Sequence, residues 1–218
     1  MSDVELTQAE ETANAAAEVA ADAAADESAE APLEEATREE QASLLETEAR
    51  ALLAQGEWEA AVEQYKEIIE LMDAAGDTAG KAEALNNIAG VHLAMEDWEQ
   101  AQAYTAEALE FYQAAGDRAG EAVVLNNVAA THEGMGDWQQ AIEVYGEALE
   151  IRKSLEDAEG EAKTLRNLAI LYAQHGNPVK AKSYLNRALV AAKSAKSREL
   201  VGLMRKTLSQ LPRMRRRR

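Results

Sequence analysis

Tryptophan occurs three times, at Trp58, Trp98 and Trp138, and each lies forty residues from the next. The same step links Asp77, Asp117 and Asp157, and also Gly80, Gly120 and Gly160. Laid over residues 115–152 without a gap, residues 75–112 are identical at 20 of 38 positions. Leu45, Leu85, Leu125 and Leu165 carry the period back into a more divergent first unit, as do Ala49, Ala89, Ala129 and Ala169. A second alanine row runs through Ala61, Ala101, Ala141 and Ala181. A fixed period of this length constrains the fold more than any single residue does. One unit cannot bury its apolar face alone, so the units must stack into an array.

Within a unit the pattern is helix, short turn, helix. Gly76 supplies a left-handed end to one helix, and Asp77 an oxygen to cap the next. Leu85, Ile88, Ala89 and His92 recur at helical spacing. Asp97 caps the second helix, with Gln100 placed for a capping box. Ala101, Tyr104, Ala108, Leu109 and Tyr112 mark its buried face. In the fourth unit Asn177 and Pro178 serve the same start, as a cap followed by proline at the first helical position. Alanine supplies much of the 47% hydrophobic content and only one Phe is present, which suits closely approaching helices better than one large core.

These residues resemble the tetratricopeptide repeat. Asn127-Val128-Ala129, Gly136-Asp137-Trp138, Ala141, Tyr145 and Ala148-Leu149 follow that family's unit. The forty-residue step resembles the longer repeats of kinesin light chains and spindle-orientation adaptors. The resemblance covers about residues 39–195. It implies an all-α fold, a right-handed superhelical solenoid of about four helix-turn-helix repeats with a C-terminal capping helix. The expected units are 33–75, 76–115, 116–155 and 156–195 within an array spanning 32–195, with the cap at 196–211. Glu48 and Arg50 break the first unit's pattern, which points to a capping unit or a shifted helix. Leu200, Leu203, Met204, Leu208 and Leu211 share one face of the last helix, after Ser197 as its N-cap.

Asparagine is a poor helix former, yet Asn86, Asn87, Asn126, Asn127 and Asn167 sit within helical stretches. With Leu85, Ile88, Ala89 and His92 turned toward the repeat interior, Asn86, Asn87 and Gly90 face the groove, as do Asn126, Asn127 and Ala130, then Arg166, Asn167 and Ile170. An amide offers a donor and an acceptor, matching an extended peptide backbone. In the resembling families such a row holds a partner peptide. The competing reading is that the amides tie neighbouring helices or loops together. Glu46 and Glu83 lie toward one end of the groove, and Lys163 and Arg166 toward the other, with Arg205 and Lys206 beyond. A peptide whose acidic part meets Lys163 and Arg166 fits that polarity; solvated charges are the plainer reading. The Lys and Asn pair of the family's chaperone-tail clamp is not matched, since Glu46 and Arg50, or Asn86 and Gly90, stand in those slots.

The net charge of −18 is uneven. Residues 1–40 hold 13 acids and one base, whereas residues 193–218 hold 10 bases and one acid. An acidic body repels phosphates along its length. Residues 1–31, rich in alanine and acids, have too few large apolar residues to fold alone, and Pro32 is expected to open the first ordered helix. The tail places Arg213, Arg215, Arg216, Arg217 and Arg218 together, permanent cations suited to carboxylate or phosphate. An acidic protein segment, including the chain's own head, is its first expected contact, with RNA or an anionic membrane surface as alternatives. Tethering through the tail to nucleic acid or membrane is the rival to a groove-binding adaptor.

Nothing in the sequence assembles a catalytic site. His92 and His132 share a slot usually filled by a packed aromatic, His175 sits at a turn, and no paired acid or nucleophile accompanies them. The stretch "AGDRAG" lacks the strand and the Gly-Lys-Ser/Thr of a phosphate loop. The expectation is a non-enzymatic protein-interaction scaffold with no cofactor, no metal and no small-molecule substrate. With no cysteine, no apolar run near the ~20 residues of a membrane span, and no basic-then-apolar leader, the cytoplasm is the expected compartment.

Overall fold

The computed structural model describes residues 37–211, so the head 1–31, the expected helix start at Pro32 and the tail 212–218 lie outside the described residues. Among the described residues the chain forms nine helices and no strand. They are α1 (37–55), α2 (Trp58–Ala75), α3 (Thr78–Ala94), α4 (Trp98–Ala115), α5 (Arg118–Gly134), α6 (Trp138–Ser154), α7 (Ala158–Gln174), α8 (Pro178–Ser194) and α9 (Arg198–Gln210). Odd helices open each unit and even helices close it.

Local chemistry sets these boundaries. Asp77 Oδ1 accepts from the Ala79 and Gly80 amides at 3.0 and 2.9 Å, and Asp117 repeats the arrangement with Ala119 and Gly120. Asp157 caps with Gly160, Asn177 with Lys180 and Ser197 with Leu200. The Gln100 amide donates to Asp97 at 3.2 Å, one half of the expected capping box. A residue of positive φ then recurs every twenty positions, at Gly56, Gly76, Glu96, Gly116, Gly136, Glu156, Gly176 and Lys196. The true spacing is thus one helix plus one left-handed turn, used twice per unit. Glycine fills five of the eight turns; Glu96, Glu156 and Lys196 bear the steric cost of a side chain there.

Small residues let the helices close on one another. Ala49, Ala89, Ala129 and Ala169 are fully buried, as are Ala61, Ala101, Ala141 and Ala181. A Cβ on Gly80 would meet Met72, on Gly120 the Tyr112 ring, and on Gly160 the Arg152 guanidinium. Those three glycines each seat a long side chain from the preceding even helix, which is why glycine is required at that spot rather than for its backbone freedom. At the next joint the sizes exchange: Ala192 and Leu200 hold the two slots, and both are buried in one core. The tryptophans wedge between units, with Trp98 against Gly134 and Trp138 stacked on His175 at 4.8 Å. Leu165, Leu168, Leu171 and Leu185 are almost wholly buried in the largest core. Each such side chain contributes roughly 1.5–3 kcal/mol.

Both end helices of the described array depart from the repeat's pattern. In α1, Leu45 and Ala49 occupy the expected buried slots while Glu48 and Arg50 are exposed, so the first helix is in register and acts as a cap rather than being shifted. In α9, Leu200, Met204 and Thr207 are buried, but the slots of the buried Ala162, Leu165 and Ala169 become exposed Gly202, Arg205 and Ser209. Such a polar face is what the terminal helix of a stack requires.

Candidate functional site

Successive odd helices touch: α3 lies on α5, α5 on α7 and α7 on α9, whereas successive even helices make no comparable contact. The stack therefore curves with the odd helices on its inner wall. Slots forty residues apart line up along that wall. Exposed Glu83, Val123 and Lys163 form one row, which runs from negative through apolar to positive.

The amides divide into two groups. Asn127 Nδ2 donates to Asn86 Oδ1 at 2.8 Å, bridging α5 to α3, and Asn86 is only 8% exposed. The Thr164 hydroxyl donates to Asn126 Oδ1 at 3.0 Å, while Asn126 Nδ2 donates to the Ala122 carbonyl. Asn86 therefore departs from the expected groove-facing position: it is packed between helices, and with Asn126 and Asn127 it stitches neighbouring units. A buried amide left unpaired would be costly, and this pairing removes the cost. Asn87 and Asn167 are half-buried on the inner wall, and their side-chain amides make no hydrogen bond among the described residues.

The charged candidates are likewise distributed. Arg166 Nε donates to the Thr207 hydroxyl at 3.2 Å, spanning the same 41 residues as the Asn86–Asn127 bond, so α9 is registered on α7 as α5 is on α3. Lys163 is exposed and pairs with Glu159 at 2.8 Å, and Glu46 pairs with Arg50. Exposed pairs of this kind contribute at most about 1 kcal/mol and are easily exchanged for a partner's charge. Arg213, Arg215, Arg216, Arg217 and Arg218 lie outside the described residues.

Asn87 borders a hollow of about 200 Å³ between the first two units, with Glu46, Tyr65, Met72 and Glu83 around it. Burial pushes the Tyr65 phenol above its ordinary pKa, and the neighbouring Glu46 adds to the shift. The hollow thus combines an unused amide, two carboxylates and an apolar floor, chemistry that suits a partner's donor or cationic side chain.

Two side chains escaped the sequence reading. Arg152 is 8% exposed, pairs with Asp157 at 2.5 Å and donates to the Ala122 carbonyl at 3.3 Å. Its forty-residue alignment with Met72 and Tyr112 was the available signal. Thr164, fully buried, holds the slot of Ala84 and Val124, and nothing in its neighbours marks it as a bonding residue. The histidines pack: His92 stacks on Tyr104 at 5.4 Å with Nδ1 3.2 Å from Asp97 Oδ2.

The tetratricopeptide repeat model matches residues 40–114, 80–154 and 120–194. No curated protein matches the chain. Solved structures similar to it include a Rap protein complexed with competence and sporulation factor, at 18% identity and TM-score 0.68 over 78% of this chain and 48% of that one. BtubC from P. vanneervenii aligns at 24% identity and TM-score 0.59, over 72% of this chain and 65% of its own. TPR-like repeats named for kinesin light chain, from Podosopora anserina, align at 14% identity and TM-score 0.61, over 83% and 87%. This chain thus spans about half the length of the Rap protein it matches. At these identities the likeness shows the fold alone.

Proposed function

Because this chain belongs to the tetratricopeptide repeat family, we propose that it is a non-enzymatic adaptor or assembly scaffold whose inner wall holds a partner's peptide segment. The observation that carries the reading is the unspent amide of Asn87 beside its hollow, repeated two units on by Asn167. Each can give and accept one hydrogen bond to an extended backbone without disturbing the stack. The row Glu83, Val123, Lys163 sets polarity: the peptide's basic part lies at the Glu46 and Glu83 end, and its acidic part at Lys163 and Arg166. The Rap protein was solved with a bound factor, which is consistent with this use of the fold.

The test is affinity capture from native lysate using wild type and the Asn87→Ala, Asn167→Ala double variant side by side. The expected result is a partner retained by wild type and lost from the variant, with helix content by circular dichroism unchanged. Equal recovery of that partner by both proteins would remove the inner wall from the account.

A further inference from the structure

One wide cleft of the described molecule is not on the inner wall. It runs along the edge where odd helices turn into even ones, encloses about 770 Å³, and is lined by Leu93, Glu96, Trp98, Glu133, Trp138 and His175, among others. Both indoles are only partly buried, so part of each remains open after they have wedged between units. The turns 95–97 and 135–137 that border it bring no lysine or arginine. Indole faces next to carboxylates suit one kind of side chain above others. A guanidinium stacks flat on an indole and donates in a fork to a carboxylate, which a compact ammonium does less well.

We propose that this cleft is a docking surface for an arginine-bearing segment and that its occupant is the chain's own residues 212–218. Five of the last six residues are arginine, and the segment starts where the cleft can be reached. The Arg166–Thr207 bond sets α9 parallel to α7, so α9 ends at the same edge as Gln174, which also lines the cleft. Leu211 shares a second hollow, of about 600 Å³, with Pro178 and Val179, and Pro178 is three residues from His175. Val179 is 79% exposed there, an apolar floor for Pro212 and Met214 on the way.

Reach decides which part of the cleft is filled. Seven residues span at most about 25 Å. Helices pack about 8–10 Å apart, which puts His175 and the Trp138 ring one to two spacings from Leu211, and Glu96 roughly three. The tail therefore covers Trp138 and Glu133 and falls short of Glu96. A tether this short gives a local concentration of order millimolar, so the tail occupies the site ahead of free arginine peptides and competes with a partner's arginine-rich segment.

The indole N–H signals of the three tryptophans in the full-length ¹⁵N-labelled chain report on this directly, with Trp58→Phe and Trp98→Phe used for assignment. At low salt the Trp138 signal should move when Arg215, Arg216, Arg217 and Arg218 are all changed to Gln, while Trp58 stays in place. Raising sodium chloride to about 0.5 M, where charges are screened within a few ångströms, should carry the wild-type signal to the variant's position and leave the variant's unmoved. Glu133→Gln, which leaves the tail intact, should give part of the same shift. Coincident Trp138 signals for wild type and the arginine variant at low salt would overturn the proposal. A Trp138 shift that disappears on dilution would also overturn it, by assigning the contact to a second copy.

Discussion

The joint between units two and three and the joint between units three and four share one backbone plan but hold together differently. In the first, the Tyr112 ring lies over Gly120, and Asn127 bonds Asn86. In the second, Arg152 lies over Gly160 and pairs with Asp157, and Thr164 bonds Asn126. Moving the bonding group three residues along the helix, from the slot of Asn127 to that of Thr164, leaves Asn167 without an internal partner. The stacking geometry fixes where a side chain must fit. Which group makes the stitch is free to vary, and that choice decides which amides remain for a ligand.

The largest expected break is Tyr112→Ala. An aromatic only 7% exposed is lost from a joint that has a glycine facing it, so the cost should be about 3–5 kcal/mol in denaturant unfolding. Adding Gly120→Leu copies the Ala192–Leu200 joint and should recover at least half of that loss. A double variant no better than the single would show that the joints are not interchangeable packings.

Alkali should also weaken the Tyr112 joint. Burial pushes the Tyr112 phenol up to about 12, while an unfolded tyrosine stays near 10. A folded-state pKa above the unfolded one stabilises the protein fully below about pH 10, and that share is lost as pH rises toward 12. The share is on the order of 2–3 kcal/mol. Amide exchange at the Tyr112 joint should therefore quicken over this range, and Tyr112→Phe should flatten that part of the profile. The Tyr145 phenol, buried in the core beside the arginine joint, is pushed up as well, so Tyr145→Phe should flatten the profile further; an unchanged alkaline profile in Tyr112→Phe would contradict the account.

Smaller effects sharpen the contrast. Arg152→Met places in the third unit the residue that the first already has at Met72. Arg152 Nε is buried without a hydrogen-bond partner, so the change should stay within about 1.5 kcal/mol of wild type. Glu96→Gly relieves a side chain held at φ 58 and should raise stability by up to about 1 kcal/mol. A fall in melting temperature for Glu96→Gly would mean that the turn's energetics are misread.

How far the sequence alone could go follows from the same residues. The alanine rows and the three glycines were legible because a forty-residue step superimposes them and only small residues recur. Caps at Asp77, Asp117, Asp157 and Ser197 followed from side-chain chemistry within three residues. The asparagines were harder. Asn86 and Asn87 differ by 100° around one helix, so a modest rotation decides which is buried, and that rotation depends on how α5 crosses α3. The partner of Asn86 lies 41 residues away, and no local pattern encodes a contact at that range. Arg152 was missed because a charged residue reads as surface until its slot is compared with Met72 and Tyr112.

The most direct measurement pairs affinity with stability for two variants, Asn87→Ala with Asn167→Ala, and Asn86→Ala, against the peptide mapped from the captured partner. The unbonded amides should cost at least tenfold in Kd by calorimetry and leave the melting temperature in place. Losing the Asn86 stitch should lower the melting temperature first. A peptide that binds the Asn87 and Asn167 double variant as tightly as wild type would contradict the claim that the amides left over from stacking do the holding.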